Sequence, residues 1–177
     1  MDIVEQAEGL KSSIRDVPDF PKPGIVFKDI TTLLKQPQAF RRAMDLLTVL
    51  CGERPVEKVA AIESRGFILG SLLADRLGAG FVPVRKRGKL PARTRQASYA
   101  LEYGSDVIEI HEDAVTAGER VLIVDDVIAT GGTAGAALEL VEGLGGRVSA
   151  CAFLVELTFL KGRERLAGCE VLSLIRY

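Results

Sequence analysis

Residues 121–140 read VLIVDDVIATGGTAGAALEL. Four apolar residues run into the acid pair Asp125 and Asp126, and Ala129, Thr130, Gly131, Gly132 and Thr133 follow ahead of an Ala- and Leu-rich stretch. A short apolar run of this kind is a buried strand. A Thr/Gly turn that then opens a helix aims several unpaired backbone N–H groups and the positive end of the helix dipole at one spot. That spot favours a phosphate. Gly131 and Gly132 permit positive φ and close approach of backbone to ligand, while Thr130 and Thr133 add hydroxyl donors. Two carboxylates beside a phosphate repel it unless the ligand also offers hydroxyls or a metal ion lies between. A ribose 5-phosphate meets both demands, with its phosphate for the loop and its 2′- and 3′-hydroxyls for Asp125 and Asp126. Neither a Walker A nor a GxGxxG pattern is present, so a P-loop nucleotidase and a dinucleotide-binding enzyme both lose support.

The same grammar recurs along the chain. KVAAIE (58–63) is a short apolar run ending in ESRG and followed by the helical pattern FILGSLLADRLG, and FVPVRK and VSACAFLVEL repeat the run. Strands alternating with helices imply βαβ units, hence an α/β fold with a mostly parallel twisted sheet flanked by helices. Such sheets bind ligands at the carboxyl ends of their strands, beside a topological switch point. The chemistry is therefore expected at ESRG, RKRGK and DDVIATGGT. Upstream, Ile3, Val4, Ala7, Leu10 and Ile14 recur at three- and four-residue steps and mark a short amphipathic N-terminal helix. Pro18, Pro21 and Pro23 then make an extended, stiff segment, and AFRRAMDLLTVLC (39–51) reads as a second helix.

The 177 residues, 47% hydrophobic and 27% charged, fit one domain spanning 1–177. Cys51, Cys151 and Cys169 are odd in number, widely spaced and lack a CxxC pairing, so they read as small buried hydrophobes rather than disulfide partners or zinc ligands. The start, MDIVEQAEGLKSS, carries acids where a signal peptide carries bases. No apolar run approaches the roughly 18 residues of a membrane span, so a soluble cytoplasmic protein without membrane contact is expected. The single His111, within IEIHEDA, reads as an exposed strand-end residue. A net charge of −1 argues against a general nucleic-acid surface. Charge is nevertheless concentrated in RKRGKLPARTR (85–95), six basic residues without an acid, among them Arg85, Lys86 and Lys89. Such a cluster must face anions. Gly88 and Pro91 suit a loop, and the lack of interleaved aromatics favours pyrophosphate over nucleic acid.

VLIVDDVIATGGT closely resembles the signature of the type I phosphoribosyltransferases, a hydrophobic strand, an acid pair, small residues and TGGT. PDFPKPGIVFKDI, ESRGFILG, RKRGKLP and ASYALEYGSD resemble the adenine phosphoribosyltransferase branch, in that family's order and over nearly the whole chain. The resemblance implies that family's fold, with a small N-terminal hood (1–35) for base recognition and a flexible catalytic hairpin (85–110). It implies transfer of phosphoribosyl from 5-phosphoribosyl 1-pyrophosphate (PRPP) to N9 of adenine, giving AMP and pyrophosphate in purine salvage, by a homodimer. By the same resemblance PRPP is held by Arg65, Arg85, Lys86, Lys89, Asp125, Asp126, Ala129, Thr130, Gly131, Gly132 and Thr133. A turn at Glu63 and Ser64, with a cis peptide, faces the pyrophosphate; Val26, Phe27 and Lys28 meet the base on one side and Leu157 on the other. Glu102 is implied to exchange a proton with the purine N7, Arg65 to assist departure of pyrophosphate, and Tyr103 to line the closed site. Mg²⁺ is expected through PRPP and water oxygens, without dedicated protein ligands. The 6-oxopurine enzymes typically carry an acid where Ala129 stands, so adenine is the better-matched base. A PRPP-sensing regulator that binds nucleic acid is disfavoured by intact Glu102, Arg65, Asp125 and Asp126.

Overall fold

A computed structural model describes residues 3–100 and 105–177. Within them the helices are α1 (Ile3–Glu8), α2 (Thr31–Leu34), α3 (Pro37–Cys51), α4 (Arg65–Leu77) and α5 (Gly132–Gly143). The strands are β1 (Arg15–Pro18), β2 (Val26–Asp29), β3 (Lys58–Ile62), β4 (Gly80–Lys86), β5 (Thr94–Ala100), β6 (Ser105–His111), β7 (Arg120–Ile128), β8 (Arg147–Glu156) and β9 (Val171–Arg176). β1 and β2 form an antiparallel pair, and the main sheet has the order β5-β6-β4-β3-β7-β8-β9. Strands β4, β3, β7, β8 and β9 run parallel, while β6 joins β4 and β5 in antiparallel pairing.

Alternation along each central strand builds two cores. Val59, Leu122, Val124, Ala150, Ala152 and Leu154 join the cluster covered by α1, α3 and α4. Their neighbours Ala60, Val121, Ile123, Cys151 and Phe153 join the cluster under α5. This is the period-2 geometry of a strand buried on both faces. Helix α3 answers with Ala43, Met44, Leu47 and Cys51 at three- and four-residue steps. From the adjacent β3 and β7 the chain leaves in opposite directions, through α4 to β4 and through α5 to β8, so the switch point lies between them.

Several expectations need correction. The proline-rich segment is extended as expected, but it is a hairpin, β1 paired to β2 with a cis Phe20–Pro21 peptide in its turn. VLSLIR, not singled out in the sequence, forms β9 beside β8. His111 ends β6 but is only half exposed, and its Nε2 is buried without a hydrogen-bond partner among the described residues; the Ala114 N–H donates to the His111 carbonyl at 3.1 Å in the turn that follows. Cys51 and Cys151 are buried and Cys169 half-buried, all free thiols, yet folding brings the Cys151 and Cys169 sulfurs to 3.5 Å.

Helix α4 lies so close to β3 that a Cβ on Gly70 would sit 2.4 Å from the Ala61 Cβ. Overpacking of that kind costs about 1–3 kcal/mol. Gly70→Ala is expected to lower the chemical-denaturation midpoint accordingly; an unchanged midpoint would mean that α4 can shift without loss.

Candidate active site

Two strand ends build the site. β3 leads into a cis Glu63–Ser64 peptide and then directly into α4, whose first residue is Arg65. The neighbouring β7 carries Asp125 and Asp126, and the Arg65 Nε donates to the Asp126 Oδ2. Gly66 makes the approach possible, since a Cβ there would lie 2.9 Å from the Asp125 Oδ1 and 3.0 Å from the Val124 carbonyl oxygen. Asp126 is buried, whereas Asp125 is half-buried and accepts the Asp126 N–H at 2.8 Å. Burial, reinforced by the charge of Asp126, pushes the Asp125 carboxyl well above the ordinary carboxylate range; Arg65 opposes this only weakly.

These residues open on a cavity of about 620 Å³, a size common for small-molecule sites. Val26, Phe27, Lys28 and Leu157 line one end, joined by Ile25 and Leu160, which sequence reasoning had not singled out. Phe27 lies beneath the Arg65 guanidinium, 5.3 Å from its ring centre, and meets Phe20 edge to face at 5.3 Å. The Lys28 ammonium is engaged by Asp16 at 2.7 Å and by the Tyr177 ring at 4.0 Å, so its contribution to the cavity wall is not a free charge. At the other end a pocket of about 90 Å³ is enclosed by Asp125 and residues 127–134. Gly131, at φ 78°, caps α5 without a side chain, which leaves the first-turn amides open toward this pocket. Ala129, Thr130 and Thr133 face both spaces; Gly131 and Gly132 face the smaller one.

Of the basic stretch, Lys86 reaches the cavity. Its ammonium pairs with Asp106 at 3.1 Å, which raises its pKa, and the Tyr99 hydroxyl donates to the same carboxylate at 3.3 Å. Tyr99 and Asp106 were not anticipated; they lie on the two strands of the expected hairpin, paired in register across β5 and β6. Glu63, also at the cavity wall, accepts from the Arg85 Nε and from the Lys86 N–H, each at 3.0 Å. Arg85 also bonds the Lys89 carbonyl at 3.1 Å, and both side chains stand outside the lining of the cavity. Glu102 and Tyr103 lie outside the described residues. Among the described residues no group of three or more His, Cys, Asp or Glu is arranged to hold a metal ion.

A strand-to-helix turn with open amides and an acid pair at the switch point thus adjoin one cavity that Phe27 and Leu157 also line. In agreement, the family model described as a phosphoribosyl transferase domain matches residues 29–166. The adenine phosphoribosyltransferase of Thermotoga neapolitana is 58% identical over 168 residues, covering 95% of this chain and 99% of the relative. The crystal structure of adenine phosphoribosyltransferase from Thermoanaerobacter pseudethanolicus superposes with a TM-score of 0.94 at 54% identity, over 97% of this chain and 99% of that one. That of Saccharomyces cerevisiae, complexed with an imino-altritol bisphosphate and adenine, gives 0.89 at 44% identity, over 96% and 98%. The chain belongs to the phosphoribosyltransferase family, in its adenine phosphoribosyltransferase branch.

The raised pKa of Asp125 has a definite sign. Folding favours its protonated form, so stability is lost as pH rises above the ordinary value of 3.8 toward the folded one. Asp125→Asn keeps an acceptor for the Asp126 N–H and removes this penalty. Thermal melting without ligand is expected to show the variant more stable than the parent at neutral pH, with the gap closing as pH falls toward 3.8; a gap that widens on acidification would contradict the assignment.

Proposed function

We propose that this chain transfers the 5-phosphoribosyl group of PRPP to N9 of adenine, forming AMP and releasing pyrophosphate, as a step of purine salvage. The observation that carries the reading is the continuity of the cavity, which joins the amides of the 129–133 loop, the Asp125–Asp126 pair and the Phe27–Leu157 slot. Adenine is supported by the relatives named above and by the adenine complex of the yeast enzyme.

In this reading the loop amides and the Thr130 and Thr133 hydroxyls bind the 5′-phosphate, and Asp125 and Asp126 accept from the ribose hydroxyls. Arg65, Lys86 and the Glu63–Ser64 turn face the pyrophosphate. As the bond from C1′ to the pyrophosphate oxygen breaks, its electron pair leaves with pyrophosphate, positive charge grows on the ribose ring, and Arg65 and Lys86 stabilise the departing anion while N9 bonds to C1′ with inversion. Glu102 manages the proton at the purine N7. Residues 1–35 supply base contacts, and the 85–110 hairpin closes over the reactants and excludes water. Mg²⁺, when bound, neutralises pyrophosphate charge. Asp126 is engaged by Arg65 and Asp125 by the Asp126 N–H, a donor set that suits a metal carried mainly by substrate oxygens and water.

A homodimer is supported by an apolar surface on α4 and the adjoining β4, where Ile68, Leu72 and Phe81 remain exposed. A reducing, cytoplasmic setting is supported by three free thiols, two of them within 3.5 Å of each other.

Competition among adenine, hypoxanthine, guanine and orotate, with PRPP and Mg²⁺, tests the substrate. Adenine is expected to be consumed far faster than the rest, with equal AMP and pyrophosphate produced; preference for an oxopurine or orotate would refute the reading. Glu102→Leu addresses the proton. Positioned proton transfer contributes roughly 10² to 10⁴ in rate, so single-turnover rate should fall by about that factor, with PRPP affinity and melting temperature kept. A fully active variant would assign the proton to another group or to solvent.

A further inference from the structure

The 129–133 loop is braced from behind by a segment that touches neither the cavity nor the phosphate pocket. A Cβ on Gly131 would lie 2.2 Å from the Gly162 carbonyl oxygen, and a Cβ on Gly162 would lie 2.3 Å from the Ala129 carbonyl oxygen and 2.9 Å from the Ile128 Cγ1. Backbone therefore presses on backbone, and the loop has no room to retreat. Gly162 is itself held from both sides. Before it, Lys161 takes a left-handed conformation at φ 52°. After it, Arg163 makes two bonds of 2.6 Å to the Glu156 carboxylate, which is 3% exposed and also accepts from Ser173. Arg176 completes the group with a 3.0 Å bond to the Ser173 hydroxyl. Glu156 is in register with Ile128, so this clamp sits on the strand beside the one from which the loop emerges.

We infer that Gly162, fixed by the Glu156–Arg163 clamp, is a positioning residue that sets the depth of the phosphate loop and hence its affinity for the 5′-phosphate. The inference rests on the reading of residues 129–133 as the phosphate cradle. Gly162 and Arg163 touch no reactant; they act through the Ala129 and Gly131 backbone. Any side chain at 162 pushes that backbone toward the ligand by a fraction of the missing space. Misplacement near 1 Å costs on the order of 10²-fold in a positioned reaction.

The test compares AMP with adenosine, which differ only in the phosphate, by calorimetry on the parent, Gly162→Ala and Arg163→Lys. The parent should bind AMP much more tightly than adenosine. Gly162→Ala should weaken AMP several-fold and raise the KM for PRPP, leaving adenosine affinity and the KM for adenine unchanged. Arg163→Lys keeps the charge beside Glu156 but not the two-pronged bond. Its AMP affinity should fall in the same direction by less, and it carries the test alone if Gly162→Ala does not fold. Folded variants with unchanged AMP affinity, or with AMP and adenosine weakened equally, would overturn the inference. A parent that does not distinguish AMP from adenosine would instead overturn the phosphate cradle itself.

Discussion

Arg65 and Asp126 meet where β3 and β7 end side by side, and the geometry of the site hangs on that ion pair and on the missing side chain of Gly66 that lets it form. The pair is asymmetric: the Arg65 side chain is 40% exposed and that of Asp126 only 6%. Exposed ion pairs contribute about 0–1 kcal/mol, whereas stranding a buried charge costs about 3–5. Losing Arg65 is therefore the more damaging change, because it leaves the buried carboxylate unpartnered. The other cations follow the same plan, Lys86 held by Asp106 and Arg85 by Glu63. At the cavity wall, Arg65 and Lys86 are thus aimed in advance by acids, which would lower the ordering cost of binding an anion and make it compete with those acids for the same donors, whereas Arg85 stands outside the lining.

Asp125 shows the opposite balance. It is half-buried beside a second carboxylate, so the fold holds it against its own ionisation. No structural need explains a second acid there, since the Asp126 N–H that it accepts could be met by a neutral amide. A group that weakens the fold yet lines the cavity fits a ligand that supplies the missing hydrogen-bond donors.

Strands β3, β4, β7 and β8 and helices α3, α4 and α5 were legible in the sequence because each is a contiguous run with a clear period and a turn signal at its end. The strand–turn–helix of residues 120–143 was legible for the same reason, as its parts are adjacent along the chain. β9 escaped because VLSLIR interrupts its apolar run with Ser173, whose burial makes sense only beside Glu156. The β1–β2 hairpin escaped because its strands are four residues each and their connection is masked by prolines. Tyr99 and Asp106 are seven residues apart, and only the register of β5 with β6 turns that spacing into a contact beside Lys86. The meeting of Cys151 with Cys169 is equally a product of register, made when the β8–β9 connection returns to the start of β9.

The hardest feature to read from sequence is what makes the basic cluster foldable. Residues 85–95 hold six positive charges and no acid, so a compact loop of them is opposed by self-repulsion. Beside Glu63, which pairs with Arg85, the counter-charge comes from β6. Glu109, 2% exposed, accepts the Lys89 and Leu90 N–H groups at 3.0 Å each, the Thr94 hydroxyl at 3.2 Å and the Gln96 amide at 3.3 Å. Burial alone would push this carboxyl up, but the Leu90, Gly88 and Lys89 amides and the Thr94 hydroxyl outweigh it and hold the pKa below the ordinary value, so the group stays charged. The loop is therefore wound around an internal anion that claims its backbone donors. One buried acid does for the basic loop what the Glu156–Arg163 clamp does for the 129–133 loop: each carboxylate sits on a strand of the main sheet and fixes an irregular segment beside it.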